Sequence, residues 1–293
     1  MRFASIASMS VAGTLIVIKL AALFLTHSVS LLATLVDSLT DSFASLINFI
    51  AIRQALMPPD REHRFGHGKA EPLAALAQSA FMAGSAIFVL IAALQRLMNP
   101  APLAHGTVGL TVMGISMVLT IFLVLFERKV AKQTGSMVIQ TDSLHYEVDL
   151  WSNTAVLLSI GASTFWNFHI LDPIAAFGIT AYLLWNTYHI AIHAIQNLMD
   201  REFSEEERAE IRAIALRHKN ILGAHDLRTR RSGPSSFIQI HLEMDDHLPL
   251  IHAHKISDEV EMAIRKRFPE AEVIVHEDPH SIVEHLERPE VYT

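Results

Sequence analysis

The stretch LLATLVDSLTDSFASLINFI, residues 31–50, places two aspartates inside an otherwise apolar segment. Asp37 and Asp41 are four residues apart, a spacing that puts both side chains on one face of a helix. A second apolar segment repeats the pattern with His145 and Asp149. An ionisable side chain in hydrocarbon costs several kcal/mol unless it has a partner or faces water. These four residues, called the membrane site below, therefore predict a functional centre within a membrane.

The composition fits a membrane portion joined to a soluble portion. Of the 293 residues, 51% are hydrophobic and only 18% are charged, which is too apolar for a single soluble domain. The net charge is −7 and no long basic run occurs, so we expect membrane lipid and no nucleic acid as a partner. The chain has no cysteine, which leaves its 17 histidines and its carboxylates as the strong metal ligands.

Six apolar stretches are long enough to cross a bilayer core, which takes about 20 helical residues. They lie near residues 5–25, 31–57, 71–97, 107–127, 138–165 and 170–198. Lysine and arginine gather in the connections after the second and fourth stretches, so the positive-inside rule predicts that both termini are cytoplasmic. Lys19 lies inside the first stretch, and we expect its long side chain to reach the membrane interface.

From about residue 200 the sequence becomes charged and is typical of a soluble domain. Ser204, followed by three glutamates, predicts the start of a helix. The elements predicted after it are two strands, a helix and a strand, over residues 224–231, 236–245, 249–268 and 271–276. We therefore predict an α-helical membrane protein with six transmembrane helices over residues 1–199 and a cytoplasmic α+β domain of order α-β-β-α-β over residues 200–293.

The membrane site offers three carboxylates and one imidazole, enough for a closed tetrahedral site of the zinc type. Because all ligands are nitrogen or oxygen, ferrous iron, manganese, cobalt or cadmium would also fit. Imidazole must lose its proton to bind a metal, and its ordinary pKa of about 6.5 makes that exchange feasible near neutral pH. The site thus predicts an antiporter of metal and protons. The alternative, four residues that only hold helices together, is disfavoured by the cost of intramembrane charge.

Two further clusters lie outside the predicted spans. Asp60, His63 and His67, called the loop site, follow the second span and provide three potential ligands; a solvated polar loop is the alternative. In the cytoplasmic domain, strand alternation places His241 on the face opposite the core. Its potential companions, which would form either a two-metal site bridged by a carboxylate or a set of surface histidines, are His225, His254, His276 and Asp278.

Four segments resemble the cation diffusion facilitator family. They are LVDSLTD ending at Asp41, FGHGKAEPLAALAQS from Phe65, DSLHYEVD ending at Asp149, and HDLRTRRSGPSSFIQIHLEM from His225. The resemblance covers nearly the whole chain. It implies a homodimer in the bacterial inner membrane that exchanges cytoplasmic Zn(II), and also Fe(II) or Cd(II), for protons by alternating access. It also implies a metallochaperone-like fold for the cytoplasmic domain.

The resemblance further implies roles for individual residues. It makes the membrane site the transport site, in agreement with the residues themselves, and gives the loop site a regulatory role. In the cytoplasmic domain it implies a binuclear centre, called the sheet site, with His225 and His241 on one ion, His254 and His276 on the other, and Asp278 bridging.

Three residues outside these sites also gain roles from the resemblance. Lys69 and Asp200 match a charge interlock that helps hold the dimer, and Leu144 matches a hydrophobic gate beside the transport site. His189 and His193, four residues apart in the sixth span, match no familiar position. They receive no role from the sequence.

Other functions account for parts of this pattern. A monovalent cation/proton antiporter also uses intramembrane aspartates, but it does not explain the histidines. A membrane metalloenzyme would need an open coordination position, and the chain has no HExxH motif, serine nucleophile elbow or phosphate loop, so we expect no enzyme activity. A membrane-anchored metal sensor would need only the cytoplasmic domain.

Overall fold

The computed structural model describes residues 1–26, 29–98, 107–166 and 171–285. The chain divides into two compact units, Met1–Ile195 and Gln196–Thr293. Each unit has its own hydrophobic core. The division falls four residues before the domain boundary predicted at residue 199, which stays a prediction.

The described residues of the first unit form long helices that coincide with the six predicted spans. They are α1 (Arg2–Thr26), α2 (Val29–Ala55), α3 (Ala70–Met98), α4 (Thr107–Thr134), α5 (Met137–Trp166) and α6 (Leu171–Leu198). Within the described residues, α1, α3 and α4 contain stretches that are long and apolar enough to cross a membrane, judged by length and composition.

Small side chains lie where these helices pack. α1 contacts α2 and α4, α4 contacts α5, and α3 contacts both α2 and α5. Ala4, Ala75, Ala86 and Ala194 are completely buried in this bundle. Because helices in a bilayer associate through close van der Waals contact, small residues at the contacts let their backbones approach. The packing brings α2 and α5, which carry the membrane site, into contact.

The second unit follows the predicted element order and adds a short terminal helix. Its elements are α7 (Glu205–Ala215), β1 (Gly223–Ser232), β2 (Ser235–Met244), α8 (Leu250–Arg267), β3 (Ala271–Pro279) and α9 (His280–His285). Strand β2 is central, antiparallel to β1 and parallel to β3. Helix α7 starts at the predicted position with a capping box, in which Ser204 Oγ accepts from the Glu207 N–H and the Glu207 carboxylate accepts from the Ser204 N–H.

Side-chain alternation along β2 separates the core from the polar face of the sheet. Ile238, Ile240 and Leu242 are at most 1% exposed and pack in one core cluster with residues of α7 and α8. His241 lies between them in sequence and therefore points to the other face. The apolar core thus leaves the histidine-bearing face of the sheet available to ligands.

Candidate metal sites

The membrane site forms where α2 meets α5. His145 Nε2 lies 2.9 Å from Asp41 Oδ1 and 3.7 Å from Asp149 Oδ2. One ligand atom from each of these three residues lies within 4.8 Å of the others. Asp37 is on α2, one turn before Asp41, and its side chain is outside the part of the chain that the structure describes. The structure therefore brings three of the four predicted ligands together.

A buried polar network adjoins this cluster. Asp142, one turn before His145, accepts hydrogen bonds from Ser8 Oγ at 2.7 Å and Asn48 Nδ2 at 3.0 Å. Ser45 Oγ lies 3.0 Å from both Ser8 Oγ and the Tyr146 hydroxyl. The network joins α1, α2 and α5, and buried hydrogen-bond networks hold side chains in one arrangement. It fixes the backbone on which His145 and Asp41 stand.

Lys19 corrects one expectation from the sequence. Its ammonium donates to Ser38 Oγ at 2.6 Å, so the prediction that it reaches the membrane interface is wrong. Ser38 is buried on α2, three residues before Asp41. Because α1 packs along α2, this hydroxyl gives the ammonium an acceptor inside the bundle.

Leu144 lies next to His145 in sequence but belongs to a hydrophobic cluster. It is buried together with Val148 and Leu183, on α5 and α6. A gate role for Leu144 stays a prediction.

The loop site assembles around one carboxylate between α2 and α3. Asp60 Oδ1 lies 3.4 Å from His63 Nδ1, and Asp60 Oδ2 lies 3.3 Å from His67 Nε2. The backbone N–H groups of His63 and Glu62 also donate to Asp60 Oδ1, and these hydrogen bonds hold the pKa of Asp60 below its ordinary value. Gly66, with φ +77°, makes the turn between the two histidines. The three predicted ligands are thus together.

In the sheet site, strand register places three imidazoles in a row. His225 on β1 pairs with His241 on β2, which pairs with His276 on β3. Their neighbouring ring centroids are 5.3 and 4.5 Å apart. Asp278 reaches all three, with carboxylate oxygens 3.3 Å from His225 Nε2, 2.8 Å from His241 Nδ1 and 3.4 Å from His276 Nε2. One carboxylate therefore reaches every imidazole of the row, and its role as a bridge between two ions stays a prediction.

His254 is placed apart from this row. It lies on α8, its side chain is 66% exposed, and its Nε2 is 3.6 Å from Asp258 Oδ2. The buried side of α8 packs in the core beneath the opposite face of the sheet. In this arrangement the structure does not bring His254 to the other predicted ligands.

Two residues that the sequence left without a role, Glu243 and His280, join the sheet site instead. Glu243 lies with Oε1 3.0 Å from His225 Nδ1 and Oε2 3.1 Å from His280 Nδ1. Gly223 leaves room for this carboxylate, because a Cβ there would stand 2.6 Å from Glu243 Cδ. Glu243 shares the strand face of His241, and this alternation is the signal that could have found it.

A bulge in β1 brings a second unforeseen carboxylate near the row. The register between β1 and β2 shifts between His225 and Arg228. Asp226, inside the bulge, has φ 45°, and its Oδ2 lies 3.6 Å from His241 Nε2. Bulges redirect side chains near functional sites, and no turn or glycine signal in the sequence marks this one.

The two predicted interlock residues lie in different units. Lys69 immediately precedes α3, while Asp200, with φ 57°, has a carboxylate oxygen 3.2 Å from an Arg230 nitrogen. The interlock between Lys69 and Asp200 stays a prediction.

A helical bundle with an acid–imidazole cluster and a second unit with a histidine-lined sheet define a class of membrane metal-cation transporters. Residues 5–199 match the family description "Cation efflux transmembrane domain", and residues 203–280 match "Cation efflux protein, cytoplasmic domain". The chain belongs to the cation efflux family. This confirms the resemblance drawn from the sequence and the predicted fold class, a transmembrane helical domain followed by a cytoplasmic domain with a small sheet.

Curated bacterial relatives are similar over nearly the full chain. The protein named "Cation-efflux pump FieF" in Klebsiella pneumoniae subsp. pneumoniae is 49% identical over 280 residues, which are 96% of this chain and 93% of that protein. Proteins of the same name in Shigella flexneri serotype 5b and Salmonella choleraesuis are 48% identical with the same coverage. The protein is accordingly a multi-pass membrane protein of a family of cation efflux transporters.

Proposed function

We propose that the protein is a proton-coupled antiporter that exports divalent cations, Zn(II) foremost, from the cytoplasm. Family membership supports cation efflux, and the name of the curated relatives agrees with it. The proposal of proton coupling and of Zn(II) as the cation rests on the position of His145 between two carboxylates. A single imidazole nitrogen contacts carboxylates on two helices, at 2.9 and 3.7 Å.

The ligand set supports the choice of cation. Asp37, Asp41, His145 and Asp149 would enclose the ion in a tetrahedral site of hard and borderline ligands. Such ligands suit Zn(II), and they also accept Fe(II) or Cd(II). Several carboxylates are needed because a divalent ion leaves its hydration shell to enter the membrane and its charge must be neutralised there.

The same imidazole supports proton coupling. His145 Nε2 can carry either a proton or the metal, but not both. When the proton is present, the nitrogen donates to Asp41, so an arriving cation must replace this contact and release the proton. Alternation between the two loaded forms would export one cation while protons enter.

The remaining predicted residues have supporting roles in this proposal. The loop site and the sheet site would bind the same cations on the cytoplasmic side and regulate transport. The protein would act as a homodimer in the inner membrane with both termini cytoplasmic, with its domains meeting near residue 199. Leu144 would gate the membrane site, and Lys69 and Asp200 would form the interlock.

Reconstituted liposomes containing a zinc-sensitive dye and a pH-sensitive dye test this proposal. We expect zinc to enter when the pH gradient drives protons outward, and protons to move when zinc alone is supplied. Asp149→Asn should abolish both signals, while Glu62→Gln, which changes an exposed carboxylate near the loop site, should leave them unchanged. Running Zn(II), Fe(II), Cd(II) and Mn(II) side by side ranks the cations. Zinc uptake that ignores the pH gradient would reject proton coupling, and sodium flux without divalent uptake would favour the monovalent antiporter.

A further inference from the structure

A cavity of about 540 Å³ opens between α4, α5 and α6, and none of the metal sites uses its polar lining. On α5 it is lined by Gln140, Ser143 and Glu147, on the side of the helix away from His145 and Asp149. Its size is within the range of pockets that hold small-molecule ligands. The α4 and α6 residues that line it at helical spacing are Arg128, Lys132, Asn186, His189 and His193.

The charges in this cavity favour an anion. Glu147 is the acidic residue of the lining, and it is already engaged by an ion pair with Arg128 and by hydrogen bonds from the Tyr182 hydroxyl and the Trp151 indole, at 3.1 and 3.4 Å. The ion pair with Glu147 holds the Arg128 guanidinium at the cavity. Most of the five N–H donors of the guanidinium stay available to a ligand. Among the described residues, Lys132 forms no ion pair. Because Glu147 is paired with Arg128, the charge of Lys132 leaves the lining net positive, which would repel a metal ion and attract an anion.

Neutral hydrogen-bond donors add to the positive charge. The Ser143 side chain is buried, and its hydroxyl has no hydrogen-bond partner among the described residues. A buried polar group left without a partner costs about 1 to 3 kcal/mol, so a ligand that accepts from it would be favoured. Gln140, His189 and His193 each bring at least one N–H, and the cavity is therefore suited to an acceptor with several oxygens.

The positions of the lining residues along their helices indicate the depth of this cavity in the membrane. Arg128 and Lys132 lie in the last two turns of α4. Gln140 lies in the first turn of α5, and His193 lies in the last two turns of α6. Lysine and arginine side chains near the ends of spanning helices reach the level of the lipid headgroups, which is also where the phosphates of phospholipids lie.

We infer that this cavity binds the phosphate of an anionic phospholipid headgroup. Arg128 and Lys132 would supply the charge, and His189, His193 and Gln140 would donate to the phosphate oxygens. Basic cavities between transmembrane helices are suited to acidic lipids. A choline headgroup would be disfavoured, because its own cation would meet Arg128 and Lys132. This site gives His189 and His193 a role that is independent of metal transport.

Native mass spectrometry of the full-length protein, stripped of lipid in detergent, tests the inference. We expect phosphatidylglycerol to bind more tightly than phosphatidylcholine. Lys132→Gln should weaken phosphatidylglycerol binding about fivefold, the effect of one basic residue near a lipid surface. Lys129→Gln removes the same charge from an exposed neighbour outside the cavity and should have no effect. The double variant His189→Gln/His193→Gln should lose about threefold.

Several outcomes would overturn the inference. Equal losses in Lys132→Gln and Lys129→Gln would mean non-specific attraction, and equal binding of the two lipids would remove the headgroup preference. If inorganic phosphate displaces phosphatidylglycerol as effectively as added lipid does, the ligand is free phosphate and the lipid assignment fails. Lys132 is exposed, so its substitution should not disturb folding, which circular dichroism of each variant checks.

Discussion

The membrane site and the sheet site join the same kinds of side chain in opposite arrangements. In the membrane site, one imidazole lies between the carboxylates of Asp41 and Asp149. In the sheet site, the Asp278 carboxylate reaches three imidazoles. A site within a membrane must neutralise the charge of a divalent ion from its own residues, whereas a site on a cytoplasmic domain keeps water and screening. The environment, as well as ligand chemistry, therefore bears on whether a carboxylate or an imidazole takes the central position.

The two sites are also held in place differently. Asp41 and His145 are 104 residues apart and meet only because α2 and α5 pack in one bundle. The three histidines of the sheet site are register partners on adjacent strands. A helix-borne site can therefore change when helices shift, while a sheet-borne site is fixed by its backbone ladder. This difference agrees with the proposed roles, transport at the membrane site and regulation at the sheet site.

The largest expected effect separates the two sites by function. Asp41→Asn removes the charge of a ligand and keeps its shape nearly constant. Changing a residue that only supports a metal ligand already lowers metal affinity or activity about ten- to a hundredfold. We therefore expect zinc flux into liposomes to fall by at least about a hundredfold. Zinc binding by the sheet site should remain. His225→Asn should lower zinc binding by the sheet site and change flux far less than Asp41→Asn does. Equal loss of flux and of binding in both variants would contradict the division of roles.

The next effect concerns how the sheet site is supported. A proton on His225 Nδ1 is donated to Glu243, which leaves Nε2 facing Asp278 and any bound cation. Glu243→Gln removes the charged acceptor, so we expect zinc affinity to fall about ten- to a hundredfold. Competition with a zinc-binding dye, on full-length protein carrying Asp41→Asn, measures it. Glu272→Gln, on an exposed position of β3, is the matched control, and identical affinities in the two variants would exclude the orienting role.

A smaller effect concerns the network beside the membrane site. Ser8→Ala removes the 2.7 Å hydrogen bond to buried Asp142, and we expect the free energy of unfolding to fall by about 1 to 3 kcal/mol. Unfolding in mixed detergent gives the value. Ser10→Ala changes an exposed serine of the same helix whose hydroxyl donates to the Ile6 carbonyl, and it should change stability far less. Equal destabilisation would show that the network does not stabilise the bundle.

The smallest effect tests the space that Gly223 leaves. A Cβ at this position would approach Glu243 Cδ to 2.6 Å, and the end of the glutamate side chain can move aside. Gly223→Ala should therefore lower zinc affinity of the sheet site only about threefold, less than loss of the carboxylate. Combined with Glu243→Gln it should add nothing further, because both changes act through one interaction. Additive losses would mean that Gly223 acts on the site by another route.

The sequence predicted much of this molecule because local periodicity does not depend on packing. The four-residue spacing of the membrane pairs and the alternation along β2 hold for any isolated helix or strand. Lys19 was mispredicted because its acceptor, Ser38, lies on a different helix. Glu243 received no role because its contacts with His225 and His280 require the strands to be aligned. The β1 bulge at Asp226 has no sequence signal of its own.

By itself, the sequence determined the class of each segment, the face on which each ligand lies and the kind of chemistry those ligands support. These properties follow from backbone geometry and side-chain type, which are local. The tertiary structure alone decided which ligands meet: His145 with Asp41, Asp278 with three imidazoles, His254 with Asp258 instead. It also placed His189 and His193 beside Lys132 in one cavity. Contacts between residues distant in sequence depend on how whole helices and strands pack, and no short stretch of sequence encodes that.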